Sequence, residues 1–312
     1  TSDQFALEMA LARIRQLSAH EVGHTIGLAH NFAASSKGRS SVMDYPHPTL
    51  SIKDGRVDFT DAYDTKIGDW DKVSIAYSYS EFKTDEDANL KSILNDAFNN
   101  GARFITDQDA RPLGSAHAYA HLWDNGSDVS VELENLLLIR KNAIANFSKD
   151  NIKSNQPYSV LEDVFVPLYF LHRYQTEGVT KVIGGLDYTY AIKDDGKTIV
   201  KRIPGKLERK ALASVIKTLS VEELAIPKKI LNLFPPRAFN YGRTRESFKS
   251  KTGVAFDPFG AVETASSMTL GLLLHPERVT RLVQHKSLDS SQLGLAEVLD
   301  ILITNSFKKS YK

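Results

Sequence analysis

The sequence predicts a mainly helical protein of the α+β class that contains one β-hairpin. Apolar residues recur at helical spacing along most of the 312-residue chain, which is the pattern of amphipathic helices. One stretch, LDYTYAIKDDGKTIVKRI, instead alternates apolar and polar residues, which indicates a hairpin that turns at Asp195-Gly196. The chain has no internal repeat and no low-complexity tract, and its composition is that of a globular protein.

The first helix is predicted to begin at a cap formed by Ser2 or Asp3 and to end near Gly27. Its apolar residues lie roughly at helical spacing, and a glycine can adopt the left-handed conformation that ends helices. The segments that follow, AASSKGRSS and SVMDYPHP, are predicted to be loops because they are polar or contain prolines.

Further helices are predicted from the same spacing, with Asp69 as a candidate cap and Pro167 as the site of a kink. The predicted helical segments are WDKVSIAYSYSEF, DEDANLKSILNDAF, SDVSVELENLLLIRKNAIANFSKD, SVLEDVFVPLYFLHRYQTEGV, GKLERKALASVIKTL, VEELAIPKKILNLF, DPFGAVETASSMTLGLLL and SQLGLAEVLDILITNSF. The segment ARFITD, residues 102–107, is predicted to be a short strand.

The composition limits which functions the chain can have. The net charge of +1 argues against a dedicated role on nucleic acids or membrane surfaces, because both need a basic excess. The chain has no cysteine, so any metal must be bound by His, Asp or Glu. The apolar runs LENLLLI and MTLGLLL have the length of core segments and are too short to form a transmembrane helix.

The segment HEVGHTIGLAHN carries the strongest functional pattern in the chain. His20 and His24 lie one helical turn apart on the same face, so both imidazoles can bind one metal ion. Glu21 lies beside the first histidine, in the position of the general base in the H-E-x-x-H arrangement. Gly27 lets the chain turn, so that His30 can return as the third ligand. A catalytic zinc site needs three protein ligands and one open position for water.

This H-E-x-x-H-x-x-G-x-x-H pattern resembles that of the metzincin metalloproteases, in which a methionine turn follows the zinc helix. The turn is present as SVMDY, residues 41–45, which is most similar to the astacin and serralysin versions. The resemblance implies that Met43 forms a hydrophobic floor below the three histidines. It also implies that Tyr45 reaches toward the metal, where it stabilises the oxyanion or occupies a fifth coordination position.

Beyond this motif, the chain resembles the C-terminal catalytic part of the large zinc-dependent metalloproteases of Bacteroides-type bacteria. The segments that carry this broader resemblance are IGDWDKVSIAYSY, FITDQDA, WDNGSDV and DPFGAVETASSM. It implies a periplasmic, outer-surface or secreted location. It also implies a sheet that precedes the zinc helix. We expect that sheet to be absent from this chain and to come from an N-terminal part of the same protein, with donation by another chain as the alternative.

The chain is predicted to consist of a zinc-site segment, residues 1–80, and a mostly helical region, residues 81–312. The predicted function is a zinc-dependent endopeptidase that hydrolyses protein or peptide substrates. Glu21 would take the proton of a zinc-bound water as that water attacks the peptide carbonyl, and would then deliver it to the leaving amine. Carbonyls of residues 31–45 or carboxylates such as Asp44 would accept the remaining ring hydrogens of the histidines.

Two alternatives remain open from the sequence. The first is a zinc-binding recognition module without significant proteolysis. The second is a helical interaction domain in which the histidine motif is incidental, which the methionine turn disfavours. The metal content of the protein separates the second alternative from the other readings.

Overall fold

Helices dominate the structure, as the spacing of the apolar residues predicts. The computed structural model describes residues 2–245 and 247–306. The helices in this part are α1 Ser2–Thr25, α2 Asp69–Tyr79, α3 Glu86–Asn99, α4 Asp107–Ala110, α5 Val129–Ala145, α6 Leu161–Tyr169, α7 Arg173–Val182, α8 Gly205–Lys217, α9 Val221–Leu224, α10 Lys228–Leu231, α11 Pro258–Leu273, α12 Pro276–Leu288 and α13 Leu295–Asn305. The strands are β1 Ser51–Lys53, β2 Arg56–Asp58, β3 Leu186–Tyr188 and β4 Val200–Arg202.

The strands form two small antiparallel hairpins, β1–β2 and β3–β4. The predicted hairpin is confirmed as β3–β4, in which Tyr188 lies opposite Val200. Its connection, residues 189–199, is longer than the tight turn that the sequence predicts, although Gly196 has the positive φ of a turn residue, +68°. The mainly helical fold class is therefore confirmed.

Gly27 ends α1 in the predicted way. Its φ is +84°, which lies in the left-handed region. The Gly27 amide donates to the carbonyl of His24 at 3.0 Å, and the Leu28 amide donates to the carbonyl of Gly23 at 3.0 Å. This pair of bonds is a Schellman motif, which satisfies the last carbonyls of the helix and turns the chain. The predicted cap at Ser2 or Asp3 concerns side chains outside the described residues.

We expect Gly27→Ala to lower the free energy of unfolding by about 1–2 kcal/mol, because a side chain makes the left-handed conformation unfavourable. A Cβ at this position meets no atom within 4 Å, so the effect reports backbone conformation alone. Urea denaturation measures it. Gly271→Ala, inside α11 and equally open, is the control, and it should be as stable as the wild type or slightly more stable. Equal effects of the two changes would contradict the assigned turn.

The predicted strand at residues 102–107 is wrong. Residues 102–106 form no strand, and α4 begins at Asp107. The backbone there is paired by a side chain instead of a neighbouring strand. The side-chain nitrogen of Asn31 donates to the carbonyl of Arg103 at 2.8 Å, and its side-chain oxygen accepts from the backbone amide of Ile105 at 3.2 Å. Asn31, which directly follows the third histidine, thus attaches this segment to the metal motif.

The predicted kinked helix around Pro167 is in fact two helices, so that prediction is also wrong. α6 contains Pro167 and ends at Tyr169, whereas α7 begins at Arg173. The two helices bury their apolar faces in different places. Phe165 and Tyr169 belong to one apolar cluster, and Val179 belongs to another. A break between them lets each helix face its own cluster.

The helix α12 and the β1–β2 hairpin are also not predicted from the sequence. The buried residues of α12 are Arg278, Leu282 and His285, so its inner face is mostly polar. The β1–β2 hairpin is only three residues long on each side. Its turn does carry a local signal, because Asp54 and Gly55 both have positive φ, as an Asp-Gly type I′ turn requires.

Besides the two large apolar clusters, a third and smaller one supports the metal motif. Its buried members are Phe32, Ala33, Ile105, Ala110, Ala120 and Leu122, and the side chains packed against it are Tyr45, Trp123 and Tyr188. This cluster joins the residues after the third histidine to α4 and to the segment before α5. It therefore fixes the position of α4 relative to the histidines.

Helix α1 leaves much of its apolar surface in contact with solvent. Its large apolar side chains that are between 38% and 58% exposed are Phe5, Leu7, Leu11, Ile14, Leu17 and Val22. Gln16, His20 and Gly23 lie on its buried side. Among the residues that the structure describes, no helix combines the length and apolar character needed to cross a membrane.

Candidate metal centre

The three histidines of the motif converge on one point. His20 and His24 lie on α1, and His30 follows the turn at Gly27. The Nε2 atom of His24 lies 3.1 Å from Nε2 of His20 and 3.1 Å from Nε2 of His30. One nitrogen from each ring lies within 4.8 Å of the others. Tetrahedral zinc with bonds of about 2.0–2.1 Å would separate its nitrogen ligands by roughly 3.3 Å, so the geometry fits.

Each imidazole is also held by its other nitrogen, Nδ1. The acceptors are the carbonyl of Val42 for His20 at 2.7 Å, the carbonyl of Leu28 for His24 at 3.0 Å, and the Asp107 carboxylate for His30 at 2.8 Å. These oxygens can only accept, so each Nδ1 carries the hydrogen and each Nε2 keeps its lone pair. Three lone pairs that converge in this way repel one another and are suited to a cation.

Burial keeps His20 in the neutral form that a metal ligand needs. Its side chain is 2% exposed. Burial is the main cause that lowers the pKa of His20, and His24 and His30 lower it further. The hydrogen bond to the Val42 carbonyl and the charge of Glu21 act in the opposite direction. A neutral ring binds a metal without first losing a proton.

Asp107 is a site residue that the sequence reasoning missed. It lies 77 positions after His30 and begins α4. Its Oδ2 accepts hydrogen bonds from His30 and from the Thr106 hydroxyl, and its Oδ1 accepts one from Arg111 Nε. Burial opposes ionisation, but the bonds from Arg111 and His30 outweigh it and lower the pKa of Asp107 to about 2. Its carboxylate is therefore charged at neutral pH.

Asp44, which the sequence suggested as an orienting carboxylate, bonds elsewhere. Its oxygens accept from the backbone amides of Ser35 and Tyr45, and burial raises its pKa well above the usual range. The expectation that a carbonyl of residues 31–45 orients a histidine does hold for Val42. Asp107 lies in the segment FITDQDA. That segment resembles the family, but nothing in its sequence indicates a contact with a histidine.

We expect Asp107→Asn to weaken zinc binding by about 10–100-fold, because loss of the charged acceptor frees the His30 ring and lowers its basicity. Competition with a chromogenic chelator measures the affinity. Asp109→Asn is the matched control, since Asp109 lies on the same helix and accepts from two tyrosine hydroxyls instead of a histidine. Equal losses in the two variants would indicate a general effect on α4.

The methionine turn packs against α1 at Gly23 and His20. Met43 is 1% exposed, and a Cβ built on Gly23 would come within 2.2 Å of its sulfur. The glycine inside HEVGH therefore makes room for the methionine. The turn is held by Asp71 on α2, whose carboxylate accepts from the Ser41 hydroxyl at 2.6 Å and from the Val42 amide at 2.8 Å. Met43 is therefore buried against the zinc-motif helix, and its role as a floor beneath all three histidines stays a prediction.

The ring of Tyr45 borders the same point. It lies 4.9 Å from the His30 ring and 5.3 Å from the His20 ring, measured between centroids. Trp123 stacks on it at 5.0 Å. Its hydroxyl lies 3.4 Å from Arg111 Nη2. The structure thus brings Tyr45 together with the histidines.

Glu21 follows His20 on α1 and is exposed. Its charge raises the pKa of the neighbouring His20. Within the described residues its side chain makes no hydrogen bond or ion pair. It is therefore free to contact a bound substrate or water.

Comparison with known proteins agrees with this geometry. A family model described as Met-zincin matches residues 2–312, which is nearly the whole chain. No curated protein and no solved structure matches the chain. Membership of this family implies a metallopeptidase, and the three histidines indicate a metal site of the kind that typically holds zinc. The chain therefore belongs to the Met-zincin family.

Proposed function

We propose that this protein is a zinc-dependent endopeptidase with His20, His24 and His30 as the zinc ligands. The observation that carries the proposal is the convergence of three Nε2 atoms, with that of His24 3.1 Å from each of the other two. Every Nδ1 is hydrogen-bonded to an oxygen. In a group of histidines that met by chance, we would not expect a hydrogen bond to orient every ring. Two carbonyls and one carboxylate orient these rings.

Zinc bound there would polarise the substrate carbonyl and lower the pKa of a bound water to near neutrality, about 7. Glu21 accepts the proton of the attacking water and then transfers it to the leaving amine. Tyr45 donates its hydroxyl hydrogen to the oxygen on which negative charge develops. Asp107 keeps the His30 ring in position. These roles match the exposure of Glu21 and the position of Tyr45 beside His30.

A cavity beside the centre supports a peptide substrate with a bulky apolar side chain. The cavity measures about 420 Å³ and is lined by residues 27–29, which join the second and third histidines. Its walls include Trp70, Val73, Phe98 and Phe104. Burial of an apolar side chain there would contribute binding energy close to the cleaved bond.

We also propose a periplasmic, outer-surface or secreted location, and a further segment of the protein that covers α1. The support for the covering segment is the row of exposed apolar side chains on α1, since such surface usually contacts another structure. The resemblance implies a sheet in this place, which would hold an extended substrate. We therefore expect the full-length protein to hydrolyse peptides faster than this chain does.

The test is hydrolysis of a mixed peptide library by this chain and by the full-length protein, each saturated with zinc. We expect cleavage of internal bonds near apolar residues, loss of activity with a chelator, and recovery with added zinc. Mass spectrometry identifies the products. Zinc binding without any cleavage by the full-length protein would favour the recognition module. Absence of zinc binding would reject both functions.

A further inference from the structure

Arg111 joins two groups that border the metal centre. Its Nε donates to the Asp107 carboxylate, and its Nη2 lies 3.4 Å from the Tyr45 hydroxyl. Its guanidinium also lies over two aromatic rings, 5.3 Å from the centroid of Tyr45 and 5.4 Å from that of Phe32. Phe32 is fully buried. The guanidinium therefore rests on a fixed wall and is held by a fixed carboxylate.

The contact with Tyr45 has a direction. A guanidinium has only donors, so the Tyr45 oxygen must act as the acceptor. The single hydrogen of the phenol then has to point to another acceptor. A cationic donor also polarises the hydroxyl and makes it a better donor in turn. The separation of 3.4 Å is long for a hydrogen bond, but such contacts commonly shorten when a substrate binds.

We propose that Arg111 is a positioning residue for the proposed endopeptidase: it holds the Tyr45 hydroxyl as a hydrogen-bond donor toward the developing oxyanion. Asp107 holds Arg111 in turn, so one carboxylate supports both His30 and the pair of Arg111 and Tyr45. This inference rests on the proposed function. It adds a role for a residue that lies 66 positions after Tyr45 and outside the histidine motif.

A plain ion pair would have different consequences. The side chains of Arg111 and Asp107 are 45% and 39% exposed, and an exposed pair four positions apart contributes little to stability. If Arg111 only paired with Asp107, its removal would change turnover by the same factor with and without the Tyr45 hydroxyl. The planar guanidinium contacts a carboxylate and a hydroxyl through two different nitrogens. Lysine has only one nitrogen and cannot reproduce this arrangement.

The kinetic test uses Arg111→Met, Arg111→Lys, Tyr45→Phe and the double change Arg111→Met with Tyr45→Phe, all at saturating zinc. We expect Arg111→Met to lower kcat by about 10-fold or more, with KM changed by less than about 3-fold, since the contact matters in the transition state. Arg111→Lys should recover only part of this loss. In the Tyr45→Phe background, Arg111→Met should cost less than about 2-fold.

The matched control is Arg103→Met. The Arg103 side chain makes a similar set of contacts with other partners, an ion pair to Asp187 at 2.9 Å and a position 4.4 Å over the Tyr119 ring. Its side chain is 31% exposed. The Arg103→Met variant loses an arginine with similar contacts, none of them to Tyr45. It should therefore leave kcat unchanged.

A second readout needs neither zinc nor activity. Tyrosine labelled with ¹³C at Cζ reports the environment of each hydroxyl, and the Tyr45 signal is the one that Tyr45→Phe removes. We expect Arg111→Met to shift this signal in the metal-free protein and Arg103→Met to leave it unchanged. An unmoved signal, or a loss in kcat that persists in full in the Tyr45→Phe background, would overturn the inference. If the wild-type protein hydrolysed no peptide, the proposed function would be rejected. The ¹³C signal of Tyr45 would still show whether Arg111 contacts the Tyr45 hydroxyl.

Discussion

His24→Ala is expected to remove zinc from the protein and to abolish hydrolysis. Elemental analysis of the wild type should give about one zinc per chain, and the variant should retain almost none, because a zinc site needs three protein ligands and only two imidazoles remain. His24 is exposed, so its loss should do little to the fold. The change therefore tests metal binding with little interference from unfolding.

The control for His24→Ala is His47→Ala. His47 lies just after the methionine turn, but its Nδ1 contacts the carbonyl of Pro48 and not the other histidines. This variant should keep its zinc. If His24→Ala retained as much zinc as the control, the three-histidine site would be wrong. If the wild type took up no zinc even on titration, the proposed function would fail at its first step.

Glu21→Gln is expected to lower kcat by about 10²–10⁴-fold while zinc content stays unchanged. Glutamine keeps the size of the side chain but cannot accept the proton of the attacking water, and general base catalysis contributes an effect of this size. Glu21 makes no hydrogen bond within the described part of the chain, so the substitution should not disturb the fold. Hydrolysis of a peptide that the wild type cleaves measures kcat. Elemental analysis measures the zinc content.

Glu8→Gln provides the comparison for Glu21→Gln. Glu8 lies on the same helix, is exposed, and contacts only Gln4 among the described residues. It should retain full activity. A Glu21→Gln protein as active as the Glu8→Gln protein would show that another group takes the proton. Loss of zinc from Glu21→Gln would instead assign Glu21 to the metal site itself.

Much of the centre could be predicted because its first parts are local in sequence. The spacing of His20 and His24 places them one turn apart on any helix. Gly27 reverses the chain by its own conformational freedom, and His30 follows within three residues. Helix periodicity likewise predicted most of the long helices. It failed where an inner face is polar, as in α12, and where one apolar segment divides between two clusters, as at α6 and α7.

The supports of the centre could not be predicted in the same way. Asp107 contacts His30 across 77 positions, and Arg111 contacts Tyr45 across 66. Neither spacing corresponds to a helical or a strand repeat. The contacts arise because a small apolar cluster around Phe32 packs α4 against the segment that follows the histidines. A carboxylate in FITDQDA looks the same in the sequence whether it faces solvent or a ring nitrogen.

The histidine motif, its turn and the position of the proposed general base thus follow from the short-range geometry of a helix and of the glycine that ends it. The orientation of the rings and the surroundings of Tyr45 depend on which distant segments meet. Those meetings are set by the burial of apolar faces across the whole domain, and side-chain hydrogen bonds form only after that packing has brought the partners within reach. For this reason the ligands could be recognised from the sequence, whereas Asp107 and Arg111 emerged only from the folded chain.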